Sequence, residues 1–282
     1  MTDKVTIIEA RRMTLSANLS ALWQYRTFYR FLFMEITLKK FRDTMLGFWW
    51  LVIRPLVPTT LAIVIFTFIV PMETGGIPYP LFYLSGFITW NLFQSLVIFM
   101  PRTLLWMQGM MRRTYFPKLL VPAASLGPPL VELVVTTSLF MMAVGCYALT
   151  YGHMPLSIEW RLLLFPFCLA MTLLFGMAIG IVTSVVAVFF RDIVFSVSYF
   201  TQMLMFLTPV IYPVTFVPEA WRPVIYLLNP MAKLVETSRW ALTGSGHFDP
   251  TYLAIACTTI IVFFILSIAF FLRAEPFLSD EA

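Results

Sequence analysis

Residues Gln202–Gly244 read QMLMFLTPVIYPVTFVPEAWRPVIYLLNPMAKLVETSRWALTG, and the fold turns on how this stretch is taken. It opens as an apolar helix that should reach the far side of a membrane near Pro209. No polar loop follows. The chain stays apolar and aromatic, broken by Pro209, Pro213, Pro218, Pro223 and Pro230. A proline lacks a backbone donor and crowds the preceding turn, so each marks a helix break or start. The intervals Trp221–Leu228 and Met231–Leu242 are helical in composition. At about 1.5 Å per residue neither can cross ~30 Å of hydrocarbon. Short apolar helices on one side of a bilayer read as re-entrant, and irregular backbone at that depth needs protein or a water-filled cavity around it. The reading is a gate or lid, residues 209–246, over a pathway.

Hydrophobic residues make up 60% of the 282-residue chain and charged residues 12%. That composition excludes a water-soluble domain and indicates an all-α integral membrane protein. The net charge of +5 is anchoring on the cytoplasmic side, and no nucleic-acid partner is expected. Cys146, Cys168 and Cys257 stand far apart inside apolar runs and read as small packed residues.

Taken in order, residues 1–21 form a basic cytoplasmic tail. Residues 22–41 (LWQYRTFYRFLFMEITLKKF) interleave aromatics with Arg26, Arg30, Lys39 and Lys40, which suits a helix lying in the headgroup layer. Six spans follow, near 46–70, 79–100, 119–149, 162–190, 193–208 and 252–272, with a short inner tail at 273–282. Between spans two and three, residues 101–118 (PRTLLWMQGMMRRTYFPK) form a basic internal loop with an amphipathic piece. Of the 19 Lys and Arg residues, all but Arg161, Arg222, Lys233 and Arg239 fall on the proposed inner side. This bias places both termini in the cytoplasm.

Catalytic signatures are missing. No GxxxxGK[ST] phosphate loop occurs anywhere in the chain. His153 and His247 stand alone in outer loops, no metal set is present, and no catalytic residue is assigned. Glu132, after the double proline Pro128–Pro129, is the one clear acid within the spans. It reads either as a pathway acid or as a satisfied polar contact near a helix break. A pathway without mid-membrane charges must be lined by aromatic and small polar groups. Trp49, Trp50, Phe66, Tyr83, Trp90, Phe93, Tyr199, Phe200 and Phe206 are the aromatic candidates, since rings stack on the apolar faces of sugars.

Five collinear stretches carry a resemblance: FRDTMLGFWWLVIRPLVP (41–58), YPLFYLSGFITWNLF (79–93), RRTYFPKLLVP (112–122), FFRDI (189–193) and the proline-rich run from Thr208 to Gly244. Together the chain resembles the membrane subunit of bacterial polysaccharide ABC exporters, which move O-antigen, capsule or teichoic acid chains. The resemblance implies a homodimer in the inner membrane with a channel at its interface, and two copies of a separate ATPase that bind ATP and magnesium. It implies a coupling helix against that ATPase, here Leu105, Trp106, Met110, Met111, Arg112, Arg113 and Tyr115. It also implies a cytoplasmic gate at residues 22–41 and a periplasmic gate holding Tyr212, Phe216, Trp221, Arg222, Asn229, Pro230 and Arg239. On this reading Arg26, Arg30, Lys39, Lys40, Arg42 and Arg54 would meet the phosphate or diphosphate of a lipid-linked polysaccharide, because guanidinium and ammonium groups donate to phosphate oxygens. The rival readings are an exporter of a smaller lipid or drug in the same superfamily, a flippase driven by an ion gradient, and a membrane transferase. The last would require an acid–base cluster that the sequence lacks.

Overall fold

The computed structural model describes residues 25–42, 47, 49–114, 116–152, 156, 159–275 and 277. The N-terminal tail, the first residues of the gate segment, Tyr115, the side chain of Arg112 and most of the C-terminal tail lie outside the described residues. Ten α-helices are present among those described, with no strand: α1 (Arg26–Arg42), α2 (Trp49–Val64), α3 (Tyr79–Arg113), α4 (Leu120–Ala124), α5 (Gly127–Tyr151), α6 (Leu164–Phe189), α7 (Ile193–Leu207), α8 (Arg222–Leu228), α9 (Pro230–Thr243) and α10 (Pro250–Ala274). Prolines start many of them. Pro80, Pro128, Pro129, Pro223, Pro230 and Pro250 all lie in the first turns of their helices, where a missing N–H costs nothing.

The centre of the bundle is α3. It packs against α6, α5, α9, α7 and α2. Its closest partner is α6, where Gly176 and Gly180 let Leu96 and Met100 approach. A Cβ on Gly176 would stand 2.7 Å from Leu96 Cδ1, and one on Gly180 would stand 2.5 Å from Met100 Sδ. Small residues four apart permit such close helix contact in membranes.

Several boundaries depart from the sequence reading. The expected inner loop after residue 100 is helix, since α3 runs through Pro101 to Arg113. A proline inside a helix costs ~3 kcal/mol. Here the apolar stripe Met100, Leu104, Met107 and Met111 continues past it and is buried in the inner half of the core, which offsets that cost. The expected third span is two helices, α4 and α5, with a break just before the double proline. The expected fifth span, α7, has only 15 residues, against the roughly 20 that span a bilayer. It stops because Thr208 precedes Pro209 and is extended, at φ −102° and ψ 134°. Five other helical stretches are long and apolar enough to cross.

Helix α1 docks by a narrow stripe. Leu32 and Ile36 are buried, while Phe31, Met34 and Leu38 remain exposed. Thr37 sits against Gly127 at the start of α5, where no Cβ would fit.

The region read as a lid is more deeply packed than its sequence suggests. The short helices exist, but α9 lies in the core, with every residue except Trp240 buried. It packs on α3, α6 and α10. The apparent contradiction is that α9 carries Lys233, Glu236 and Arg239, which should resist burial. Each has internal partners, although Glu236 Oε1 is buried without one. Arg239 donates from Nη2 to the carbonyls of Pro209 (2.8 Å) and Val210 (3.0 Å), and from Nε to that of Phe82 (3.2 Å). Its guanidinium also covers the Phe82 ring at 3.7 Å. Lys233 donates to Glu236 Oε2 (3.0 Å) and to the His247 carbonyl (3.2 Å). The Tyr226 hydroxyl donates to the same Glu236 oxygen at 2.7 Å, which ties α8 to α9. Asn229 caps α9 by accepting from the Met231 N–H, and donates to Thr208 Oγ1 at 2.8 Å. Gly244, at φ 73°, closes the other end in the left-handed conformation.

Replacing Arg239 strands the Pro209 and Val210 carbonyls, at about 1–3 kcal/mol each, whereas the Phe82 carbonyl still accepts from Ser85 Oγ. Arg239→Met should therefore lower the thermal unfolding midpoint of the purified protein by several degrees. Arg222→Gln, which removes a pair of 3.6 Å at the exposed Glu219, should leave it nearly unchanged.

Candidate functional site

Polar residues recur along one face of α3. Asn91, Gln94, Ser95 and Arg102 share a stripe with Phe87, Ile98 and Phe99, at intervals of three and four. A stripe from 87 to 102 runs about 22 Å along a helix axis. It forms the floor of a cavity of about 590 Å³. Leu51, Arg54, Pro55 and Pro58 of α2 make one wall, and Ser198, Gln202 and Met205 of α7 make another. Glu132 and Thr136 of α5 and Lys40 of α1 complete the lining. Both α2 and α7 pack on α3, and the polar floor lies between them.

Four charges face this space. Lys40 Nζ donates to Glu132 Oε1 at 2.7 Å, and both side chains are about 15% exposed. Burial pulls the Lys40 ammonium below its usual range, and Arg54 and Arg102 act in the same direction, while Glu132 opposes them by charge and hydrogen bond. Arg102 donates from Nη2 to Ser198 Oγ at 3.0 Å, bridging α3 and α7. Arg54 lies 6.0 Å from the Trp50 ring centroid. Among the described residues, no carboxylate is within ion-pair distance of Arg54 or Arg102. The cavity thus holds two positive charges in excess of its one ion pair. A water-accessible polar track with such an excess accepts hydroxyl-rich and anionic groups.

The residues expected to meet phosphate divide into two sets. Lys40 and Arg54 line the cavity. Arg26, Arg30 and Arg42 are exposed on α1 outside it. Lys39 instead stacks on Trp106 of α3, 3.4 Å from the ring centroid. Lys40 is held by Glu132, so Glu132 is a satisfied contact that also faces the cavity.

The aromatic candidates divide as well. Trp49, Trp50, Tyr199, Phe200 and Phe206 are exposed on α2 and α7. Phe66 is partly buried against Tyr79, with ring centroids 5.3 Å apart. Tyr83, Trp90 and Phe93 are sealed in the chain's own core and line no surface. They lie on faces of α3 turned toward its partner helices, Phe93 stacking on Phe175 of α6 at 5.4 Å.

On the inner extension of α3, Trp106 and Arg113 are exposed, Leu105 and Met110 are half-buried and Met111 is buried. In the outer-gate set, Phe216 and Trp221 are exposed. Tyr212 donates to the Phe206 carbonyl at 3.0 Å, and Arg222 donates from Nε to that of Val217 at 3.0 Å. Asn229, Pro230 and Arg239 are buried.

Sequence reasoning missed the polar floor. The signal was there in the spacing of Asn91, Gln94, Ser95 and Arg102, of Glu132 and Thr136, and of Ser198 and Gln202, each set on one helix face.

Comparison with known proteins points the same way. The ABC-2 type transporter family matches residues 27–243. The O-antigen export system permease protein RfbA of Myxococcus xanthus is 26% identical over 259 residues, 91% of this chain and 96% of that one. A Klebsiella pneumoniae protein of the same name is 24% identical over 232 residues, 82% of this chain and 86% of its own length.

Cysteine accessibility distinguishes floor from core. With Cys146, Cys168 and Cys257 replaced, Asn91→Cys and Gln202→Cys should react with a water-soluble thiol reagent. Trp90→Cys and Phe93→Cys should not. Equal labelling of all four would refute the assignment.

Proposed function

The chain belongs to the ABC-2 type transporter family, and from that premise we propose that it is the membrane subunit of an ATP-driven exporter of a lipid-linked polysaccharide of the O-antigen class. It is a multi-pass protein of the bacterial inner membrane. The observation that carries the cargo class is the match to O-antigen export permeases along nearly the whole of both chains. The cavity supports it, because a sugar chain needs a polar floor with aromatic flanks, and Trp49, Trp50, Tyr199 and Phe200 stand exposed on the helices beside it.

Two copies pair along α2 and α7, so that each contributes half of one pathway. The exposure of the apolar faces of α2 and α7 supports this arrangement, as such faces mark association surfaces or lipid contact. The six-span topology with both termini inside requires short α7 to cross with the help of the turn after it. The lipid-linked substrate enters from the inner leaflet beside α1 and the start of α2.

ATP and its magnesium bind a separate ATPase, two copies per assembly, that docks on the inner end of α3. At 35 residues α3 is roughly 50 Å long, well beyond a ~30 Å hydrocarbon core. The overhang carries exposed Trp106 and Arg113. Closure of the ATPase pushes this end as a rigid body. Lys39 on Trp106 passes the displacement to α1, and the neighbouring Lys40 faces the cavity. The motor and the pathway are thereby joined through two adjacent lysines.

Charge reversal tests the docking. Arg112→Glu with Arg113→Glu should abolish co-purification of the ATPase and reduce surface glycan by tenfold or more, on the order of 1.4 kcal/mol or greater in the docking equilibrium. Undiminished ATPase association and export would remove the coupling role.

A further inference from the structure

The Lys40–Glu132 pair is unlike the other contacts around the cavity. Arg54 and Arg102 have no carboxylate at ion-pair distance among the described residues, whereas Lys40 is neutralised by a side chain that itself lines the space. Among the described lining residues, the one carboxylate is paired with the one ammonium. Lysine is a point charge on a flexible stem and can exchange partners without losing a fixed bidentate geometry. Guanidinium groups, by contrast, present paired donors that match phosphate oxygens.

We propose that Glu132 is a resident competitor for the anion site of this cavity, holding Lys40 at rest and yielding it to the diphosphate diester of a lipid-linked sugar, which Arg54 and Arg102 also bind. The inference rests on the exporter reading above and adds to it the part played by Glu132 and Arg102. The charges select the ligand. Among the described lining residues, Lys40, Arg54 and Arg102 set against Glu132 leave a net charge of two positive. A diphosphate joined to a lipid at one end and a sugar at the other carries two negative charges at neutral pH. A singly charged phosphodiester headgroup satisfies half of that excess. Because Glu132 remains beside the site, it reclaims Lys40 as the diester moves on, so binding is kept reversible. Glu132 makes no contact with reacting bonds; it is a positioning and specificity residue.

The test measures binding of a farnesyl diphosphate-linked N-acetylglucosamine to the full-length protein in neutral-lipid nanodiscs with its ATPase. Glu132→Gln should bind it about tenfold more tightly than the unaltered protein, the gain of one charge-assisted hydrogen bond. Lys40→Gln should bind about tenfold more weakly, because Glu132 then repels the diester with nothing to offset it. The double variant removes both members of the pair, leaves no charge stranded, and should return to within about threefold of the unaltered protein. Damage to the fold cannot produce the tightening or the rescue. Glu132→Gln binding no more tightly, or the double variant as weak as Lys40→Gln alone, would overturn the competitor role. Cardiolipin and inorganic pyrophosphate serve as the other sources of the same chemistry. If Glu132→Gln tightens binding of either of these but not of the sugar diphosphate, the site belongs to a bulk lipid or a free anion and the assignment fails. Surface glycan is scored in a deletion strain in parallel. Glycan export that survives deletion removes the exporter reading, whereas loss on deletion with no tightening by Glu132→Gln removes this inference alone.

Discussion

One guanidinium sets the geometry on which the pathway depends. Arg239 reaches from buried α9 to the carbonyls of Phe82 on α3 and of Pro209 and Val210 after α7. Carbonyls left bare by a proline break must find donors inside a membrane protein, since the hydrocarbon offers none. Arg239 supplies them at the one place where α7 stops short. It thereby fixes the outer end of α7 relative to α3, and so fixes the wall that faces Arg54 and the polar floor. Gly86 leaves the space for this, because a Cβ there would stand 2.5 Å from Arg239 Nη2.

The same logic governs the rest of the molecule. Many buried polar side chains are paired within the bundle. Lys233 and Tyr226 both donate to Glu236 Oε2, joining α8 to α9. Thr89 and Ser238 share a hydrogen bond at 2.7 Å across the α3–α9 contact. Arg54 and Arg102 have no carboxylate at ion-pair distance among the described residues, and both face the cavity. At the inner end, α1 is seated on α5 through the Thr37–Gly127 contact and on α3 through Lys39 and Trp106. It is therefore in touch with both the extension of α3 past Pro101 and the cavity.

Much of this was legible in the residues. The long apolar runs gave an all-helical membrane protein, the proline clusters marked the short helices after the fifth apolar run, and the family resemblance agrees with the comparisons. What escaped was tertiary. Pro101 signalled a break, but the stripe from Met100 to Met111 outweighed it through burial that a linear pattern does not reveal. Lys233 and Arg239 count among the outer-side cations, and their charge alone gives no sign of burial; the internal partners that permit it run from Glu236 three residues on to carbonyls 29, 30 and 157 residues away. Trp90 and Phe93 looked like pathway aromatics, yet which face of α3 meets α6 depends on where Gly176 and Gly180 sit. The polar floor itself was readable from helical spacing, since Asn91, Gln94 and Arg102 recur on one face of an apolar helix.

The account stands on the claim that the floor between α2 and α7 faces its counterpart in a second copy. Pulsed electron–electron resonance between nitroxides attached at Gln202 of the assembled, membrane-reconstituted exporter measures this directly. The account predicts a defined intermolecular distance that is shorter than the one from labels at Ile265, on the exposed face of α10, and that changes when ATP binds the motor. An absence of dipolar coupling at Gln202, or a distance longer than that at Ile265, would contradict it.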